Sequence, residues 1–291
     1  MSDWLLFDPM FRVPFLTGLL LAIALSLIGA LLRMRDEWLA ALGLSQIAAV
    51  GAIAANVLHL PLLIGAFGAA GIVMILRAAL PRIGNSHYGM MIILGWSGTL
   101  LLGSYIDHGH IVGEHLLRGQ LYFTHTAHLS GAAVLLLLTL TIFPWLSPRL
   151  LTARFFPDYH KANRLPVMPY SLAFALLVIG AVVTGTVSIG AFPAFAMLFV
   201  PPWVGFVLVH GWVRSLAASA AVGCSAYITA FIAAILLDLP FGPVLTAVLI
   251  LCGALRFVTA LRRRNFQISN DQSKANYLPL REDHAAEKRS L

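Results

Sequence analysis

Residues 38–58 read WLAALGLSQIAAVGAIAANVL, and this stretch decides the class of fold. The run is apolar over the roughly 20 residues that a helix needs to cross a bilayer. It follows a charged turn at residues 33–37, RMRDE. Within the run, small and polar residues share one helical surface, namely Ser45, Gln46, Ala49, Ala52 and Asn56. Because a helix that faces only lipid has no need of amide side chains, this surface predicts a helix that lines a path or packs closely on a neighbour.

The composition of the whole chain also indicates a membrane protein. Of its 291 residues, 59% are hydrophobic and 11% are charged, and the mean hydropathy is +0.87. A typical soluble domain is about 25% charged. Apolar runs near twenty residues recur without the alternation of a membrane β-barrel. The sequence therefore predicts an all-α polytopic membrane protein with several membrane-spanning helices.

Nine candidate spans follow from the apolar runs, so we expect about eight to nine transmembrane helices. They cover residues 14–32, 38–58, 60–80, 88–106, 128–146, 169–188, 191–210, 215–237 and 242–261. Proline at positions 193, 201 and 202 interrupts the seventh span, and proline inside a helix removes a hydrogen bond. That segment is therefore either two half-helices or one kinked rod.

The positions of lysine and arginine predict the orientation. With the N-terminus outside and the C-terminus inside, nearly all basic loops fall on the cytoplasmic side, as the positive-inside rule requires. The net charge of +7 then reflects these loops and gives no reason to expect a nucleic-acid partner. We expect a multi-pass protein of the plasma membrane (the inner membrane of a bacterium). Residues 1–261 form a single transmembrane domain, and residues 262–291 form a polar, disordered cytoplasmic tail.

A group of possible metal ligands lies between the fourth and fifth spans. It comprises Asp107, His108, His110, Glu114, His115, His125 and His128, which include five of the ten histidines. Imidazole and carboxylate groups are ligands of zinc and related metals. One interpretation is a metal-contacting loop on the outer side. The other is a polar extracellular loop whose histidines coordinate nothing.

The longest cytoplasmic interruption covers residues 147–168. It combines apolar side chains with charged ones that include Arg154, Asp158, Lys161 and Arg164. A short amphipathic helix here would dock onto another protein, or it would lie among the lipid headgroups.

Four collinear segments carry a family resemblance. They are residues 33–51, residues 116–124, residues 151–165 with Asp158 and Ala162, and residues 187–250 with Gly190, Pro201, Asp238, Gly242 and Pro243. Their order resembles the permease subunit of the metal-ion ABC importers, which take up zinc, manganese or iron. The resemblance covers about residues 15–261 and leaves out the tail.

The resemblance implies an ABC importer permease-like bundle that works as a homodimer and forms the translocation path. It implies an ATPase subunit docked through residues 149–165, with Arg154, Asp158, Lys161 and Arg164 as contacts, and an extracytoplasmic substrate-binding protein. The path would be lined by Leu42, Ser45, Gln46 and Asn56. The chain itself would be no enzyme and would bind no cofactor, with a divalent metal as cargo. Consistent with this, the sequence has no GxxxxGK[ST] motif for phosphate binding.

The departures from the family concern the cargo. The family's second span carries an aspartate and, four residues later, a histidine, and these positions are Leu42 and Gln46 here. A leucine binds no metal, and an amide is a weak, neutral ligand. A chelated metal or a small neutral solute is therefore an alternative cargo. A stand-alone secondary transporter or a metal-sensing membrane protein is an alternative to the importer itself.

Overall fold

The computed structural model describes residues 9–79, 85–104, 113, 116–117, 119, 121–156, 163 and 168–254. These residues form nine α-helices and one short 3-10 turn at Leu121–Phe123. The helices are α1 Pro9–Arg35, α2 Trp38–Val57, α3 Leu62–Ala79, α4 Asn85–Ser104, α5 Thr126–Phe155, α6 Met168–Ile189, α7 Ala191–Leu208, α8 Trp212–Leu236 and α9 Phe241–Ala254.

The prediction of an all-α polytopic fold is confirmed, and the described residues form nine helices where about eight to nine transmembrane helices were expected. Within the described ranges, six helices are long and apolar enough to cross a membrane: α1, α2, α5, α6, α7 and α8. Two shorter apolar helical stretches are Leu62–Leu76, which is part of α3, and Phe241–Ala254, which is α9. The side of the membrane on which each end lies stays a prediction, as does the division at residue 261, because the tail lies outside the described residues.

The helices form one bundle with two distinct ends. Helix α1 packs against α5, α7 and α8, α2 packs against α3 and α4, and α6 contacts members of both groups. Because successive helices run in alternating directions, one end collects the end of α1 and the start of α2, the end of α5, and the start of α8. We call it the arginine end, since it carries Arg33, Arg35, Arg149, Arg154 and Arg214.

Helix α5 differs from its predicted extent. The sequence predicts a span ending at residue 146, but the helix continues to Phe155 through Pro144 and Pro148. Leu146, Ser147 and Leu150 are buried against neighbouring helices, and the indole Nε1 of Trp212 donates a hydrogen bond to Ser147 Oγ at 2.7 Å. Packing therefore stabilises a helix that the prolines would otherwise end, and the predicted break before Phe155 was wrong.

Helix α7 is one continuous element and not two half-helices. Pro202 has no N–H for the carbonyl of Leu198, four residues earlier. That carbonyl lies against Gly29 of α1, where an added Cβ would be 1.9 Å from the Leu198 oxygen. Arg33 donates a hydrogen bond to the Pro202 carbonyl at 3.3 Å. Helix α1 thus covers the backbone that the prolines leave exposed.

Helices α2 and α3 approach each other closely at a pair of glycines. An added Cβ on Gly65 would lie 2.0 Å from the Gly51 carbonyl oxygen, and one on Gly51 would lie 2.3 Å from the Gly65 oxygen. Small residues let helix backbones meet in this way, and close packing is a principal source of association between helices in a membrane.

Aromatic side chains fill the opposite end of the bundle. The ring centroids of Tyr122 and Phe231 are 6.0 Å apart, and those of Tyr227 and Phe241 are 5.6 Å apart. The Tyr227 hydroxyl donates a hydrogen bond to the Phe15 carbonyl at 3.0 Å. The Tyr122 hydroxyl is buried with no hydrogen-bond partner among the described residues. Burial, and secondly the negative charge of Asp238, raise the pKa of Tyr122, so this phenol stays neutral.

The two tyrosines give a matched pair for a stability measurement. Tyr227→Phe removes a buried hydrogen bond and is expected to lower the free energy of unfolding by about 1 kcal/mol. Tyr122→Phe removes a hydroxyl that bonds to nothing described, so stability should stay the same or rise. Thermal unfolding in detergent checks both variants. Equal losses of stability in the two would contradict the assigned hydrogen bonds.

Candidate functional site

The polar surface of α2 lies inside the bundle. Ser45 and Gln46 are both 0% exposed. The Ser45 hydroxyl donates a hydrogen bond to the Ala41 carbonyl at 2.8 Å, so its proton is used by its own helix. The Gln46 amide differs, because neither its oxygen nor its nitrogen has a hydrogen-bond partner among the described residues. A buried amide without a partner costs free energy, which singles out Gln46 on this surface.

Helix α4 covers Gln46 from one side. An added Cβ on Gly95 would lie 2.5 Å from the Gln46 Cβ, so only glycine permits this approach. The Thr99 hydroxyl, one turn further along α4, donates to the Gly95 carbonyl at 2.8 Å. The sequence identifies Gln46 as an unusual residue. It does not predict that Gly95 packs against Gln46, because the two residues are far apart along the chain.

The four predicted path residues do not form one cluster. Leu42, Ser45 and Gln46 lie within about one turn of each other on α2, with Leu42 half-buried. Asn56, also half-buried, follows Gln46 by ten residues, which is about 15 Å along a helix axis. None of the four lines the groove at the arginine end that is described below. A role of these four residues in a path stays a prediction.

His128 caps the start of α5. Its Nδ1 accepts a hydrogen bond from the His125 N–H at 3.1 Å, and its own backbone N–H donates to the His125 carbonyl at 2.9 Å. A neutral imidazole has a single acceptor nitrogen, and in His128 the cap uses it. Binding of a metal by His128 would therefore require this hydrogen bond to break.

The remaining predicted metal ligands, namely His108, His110, Glu114 and His115, lie outside the described residues. Within the described ranges, no group of three or more histidine, cysteine, aspartate or glutamate side chains could hold a metal ion. Metal binding by the histidine loop thus stays a prediction.

Arg154 is the one predicted docking residue that the structure describes. Its Nη2 contacts Asp36 Oδ2 at 2.6 Å, and the two side chains are 52% and 62% exposed. The pair joins the last turn of α5 to the turn between α1 and α2. Sequence reasoning places Asp36 in a charged turn but does not identify it as the partner of Arg154. Asp158, Lys161 and Arg164 lie outside the described residues.

A groove of about 600 Å³ opens beside this ion pair at the arginine end. Its walls come from the ends of α1, α5 and α7 and the start of α8, and they include Leu151, Phe155, Phe206 and Trp212. Phe155 and Phe156 are 67% and 65% exposed. An apolar surface with a charged rim next to residue 157 is suited to contact with another protein.

Comparison with known proteins decides the family. Residues 7–261 match the profile of the ABC 3 transport family, which is most of the 291-residue chain. The chain belongs to the ABC 3 transport family. The predicted resemblance to ABC permeases is thereby confirmed, as is the expectation of a multi-pass plasma-membrane protein. This ABC 3 chain is a transport component and not a catalytic subunit.

Solved structures share the fold of this ABC 3 chain. One, described as PsaBC from Streptococcus pneumoniae in complex with Fab, has 18% sequence identity and a TM-score of 0.76, covering 88% of this chain and 93% of that one. Another, described as a metal-chelate type ABC transporter in an inward-facing conformation, has 20% identity and a TM-score of 0.67, covering 86% and 85%. No curated protein matches the sequence.

Proposed function

We propose that the chain is the membrane-spanning subunit of an ATP-driven importer for a divalent metal ion, namely zinc, manganese or iron. The observation that carries this proposal is the family match over residues 7–261. Two copies form the translocation path, an ATPase subunit docks on each, and an extracytoplasmic binding protein delivers the cargo. ATP binding and hydrolysis on the partner shift the pair between outward- and inward-open states, because the nucleotide binds the two states with different affinity.

The arginine end supports the docking part of this proposal. The exposed phenylalanines at the end of α5 belong to residues 149–165, the segment that the resemblance assigns to the ATPase contact, and the groove lies beside them. The Arg154–Asp36 pair links that segment to the turn that leads into α2. A displacement at the ATPase would therefore reach the helix that carries Gln46.

The acidic residues argue against a proton- or cation-coupled carrier. Such carriers generally use carboxylates inside the membrane. In the part of the chain that the structure describes, the carboxylates are Asp36, Glu37 and Asp238, and all three lie in turns between helices. This distribution favours an importer that takes its energy from a partner over the stand-alone transporter.

The same distribution favours a second candidate cargo, a chelated metal or a small neutral solute. Leu42 and Gln46 offer a bare divalent ion no charged ligand. The described histidines, His59, His87, His125, His128 and His210, all lie at or near the ends of helices. A ligand that brings its own chelating groups needs only neutral contacts such as an amide.

Co-purification tests the importer assignment. The full chain is expected to co-purify with its co-expressed ATPase subunit, and the double variant Asp158→Asn with Arg164→Gln is expected to lose most of the bound ATPase, because both charges lie in the proposed contact. Arg12→Gln, an exposed arginine at the opposite end, serves as the control and should retain it. Failure of the unaltered chain to bind the ATPase would contradict the proposal. Undiminished binding by the double variant would show that Asp158 and Arg164 do not contribute to the ATPase contact.

The cargo is tested separately. A deletion strain grown under chelation should contain less zinc, manganese or iron than its parent, measured as cellular metal content. Unchanged content of all three metals would exclude metal import, free or chelated, and leave a neutral solute as cargo.

A further inference from the structure

The ion pair between Arg154 and Asp36 lies beside the surface proposed to dock the ATPase subunit. Both residues line the groove at the arginine end. Arg154 is followed directly by Phe155 and Phe156, whose side chains are 67% and 65% exposed. A partner that covers these phenylalanines and enters the groove therefore meets the guanidinium of Arg154.

The pair uses a small part of the bonding capacity of this arginine. Arg154 Nη2 lies 2.6 Å from Asp36 Oδ2, which is the one side-chain hydrogen bond of Arg154 to the part of the chain that the structure describes. A guanidinium can bind a carboxylate through two parallel N–H···O bonds, and such a bidentate pair is stronger than a single contact. Arg154 therefore keeps N–H donors for a carboxylate that a partner supplies.

The pair is also exposed, so it is easily exchanged. The side chains of Arg154 and Asp36 are 52% and 62% exposed, and an ion pair in contact with water shifts an equilibrium by about fivefold at most. Docking removes the guanidinium from water, and a charge taken out of water needs a well-bonded partner of opposite charge. A carboxylate that makes two hydrogen bonds meets this need better than the single contact with Asp36.

From these observations we propose that Asp36 is an internal competitor of the ATPase subunit for Arg154. In the undocked chain, Asp36 holds the guanidinium. On docking, a carboxylate of the ATPase subunit binds Arg154 and Asp36 is released to water, so the turn that leads into α2 loses its contact with α5. This inference rests on the proposed function, since it takes the ATPase subunit as the partner, and it adds a contact within the chain that lowers the affinity of docking.

A double-mutant cycle tests the competition with the full chain. The purified ATPase subunit is titrated against the chain in detergent, and Kd is measured for the unaltered chain, both single variants and the double variant. Asp36→Asn should tighten binding about fivefold, because the pair no longer has to break. Arg154→Gln should weaken binding about tenfold, the factor for a lost charge-assisted hydrogen bond. In the Arg154→Gln background, Asp36→Asn should have no effect.

Asp238 is the matched control for Asp36. It is also exposed, its φ of 53° compares with 55° for Asp36, and it lies in the turn between α8 and α9 at the opposite end of the bundle. Asparagine tolerates this left-handed conformation, so neither substitution strains its turn. Asp238→Asn should leave the Kd of the ATPase subunit unchanged.

Three results would overturn the competition. One is unchanged or weaker binding by Asp36→Asn, which would make Asp36 either idle or part of the contact. Another is equal tightening by Asp36→Asn with and without Arg154, which is the effect of net charge alone. The third is unchanged binding by Arg154→Gln. A complete lack of binding by the unaltered chain would instead contradict the proposed function together with this inference, so the unaltered chain distinguishes the two failures.

Discussion

Gly65→Leu is expected to leave almost no folded, monodisperse protein. A Cβ at this position would lie 2.0 Å from the Gly51 carbonyl oxygen and 2.5 Å from the Ala55 Cβ, so the backbones of α2 and α3 must separate. Overpacking typically costs about 1–3 kcal/mol even where side chains can adjust, and here the obstacle is backbone. The measurement is the monodisperse fraction in size-exclusion chromatography, together with thermal unfolding of what remains.

Gly68→Leu is the control for this variant. Gly68 follows on the same helix by three residues, and an added Cβ there would meet no atom within 4 Å. Both variants add the same side chain and remove a glycine from α3, so the difference between them isolates the contact with α2. Normal folding of Gly65→Leu would contradict the helix crossing.

Gln46→Leu is expected to change stability and transport in opposite directions. Leucine has a similar size and removes a buried amide that has no hydrogen-bond partner in the described structure, so the free energy of unfolding should rise by about 1–3 kcal/mol. If Gln46 contacts the cargo in the open path, uptake should fall about tenfold, the factor that corresponds to 1.4 kcal/mol. Thermal unfolding and uptake by a complemented deletion strain give the two readouts.

Thr139→Val provides the comparison for Gln46→Leu. Thr139 is also 0% exposed, but its hydroxyl donates to the Leu135 carbonyl at 2.7 Å within its own helix. We expect a small loss of stability and no change in uptake. If Gln46→Leu stabilises the protein and leaves uptake intact, Gln46 is no part of the path and the α2–α4 interface merely tolerates it.

The sequence was sufficient to predict the helical architecture, because twenty-residue apolar runs are a local property of the chain. It was insufficient wherever a distant contact overrides a local signal. The predicted span ends at residue 146, yet the hydrogen bond from Trp212 to Ser147 and the buried Leu150 keep α5 helical beyond it. Likewise, Pro201 and Pro202 indicate an interruption that α1 compensates.

At the candidate site, too, the sequence predicts the unusual residue but not its distant contacts. The sequence identifies Gln46 as an exceptional residue because an amide inside an apolar run is visible without a structure. That its amide lacks a hydrogen-bond partner, and that Gly95 packs against it, depends on how α4 crosses α2. The Arg154–Asp36 contact is invisible for the same reason, since 118 residues separate its members along the chain.

The contact between Gly29 and the Leu198 carbonyl has an evolutionary consequence. Proline at position 202 leaves that carbonyl without its helical donor, and only a residue without a side chain allows α1 to approach it. The two positions are therefore expected to vary together among relatives. Where position 202 regains an N–H, the carbonyl is bonded within its own helix, and alanine or serine at position 29 should become tolerable with a slight outward shift of α1.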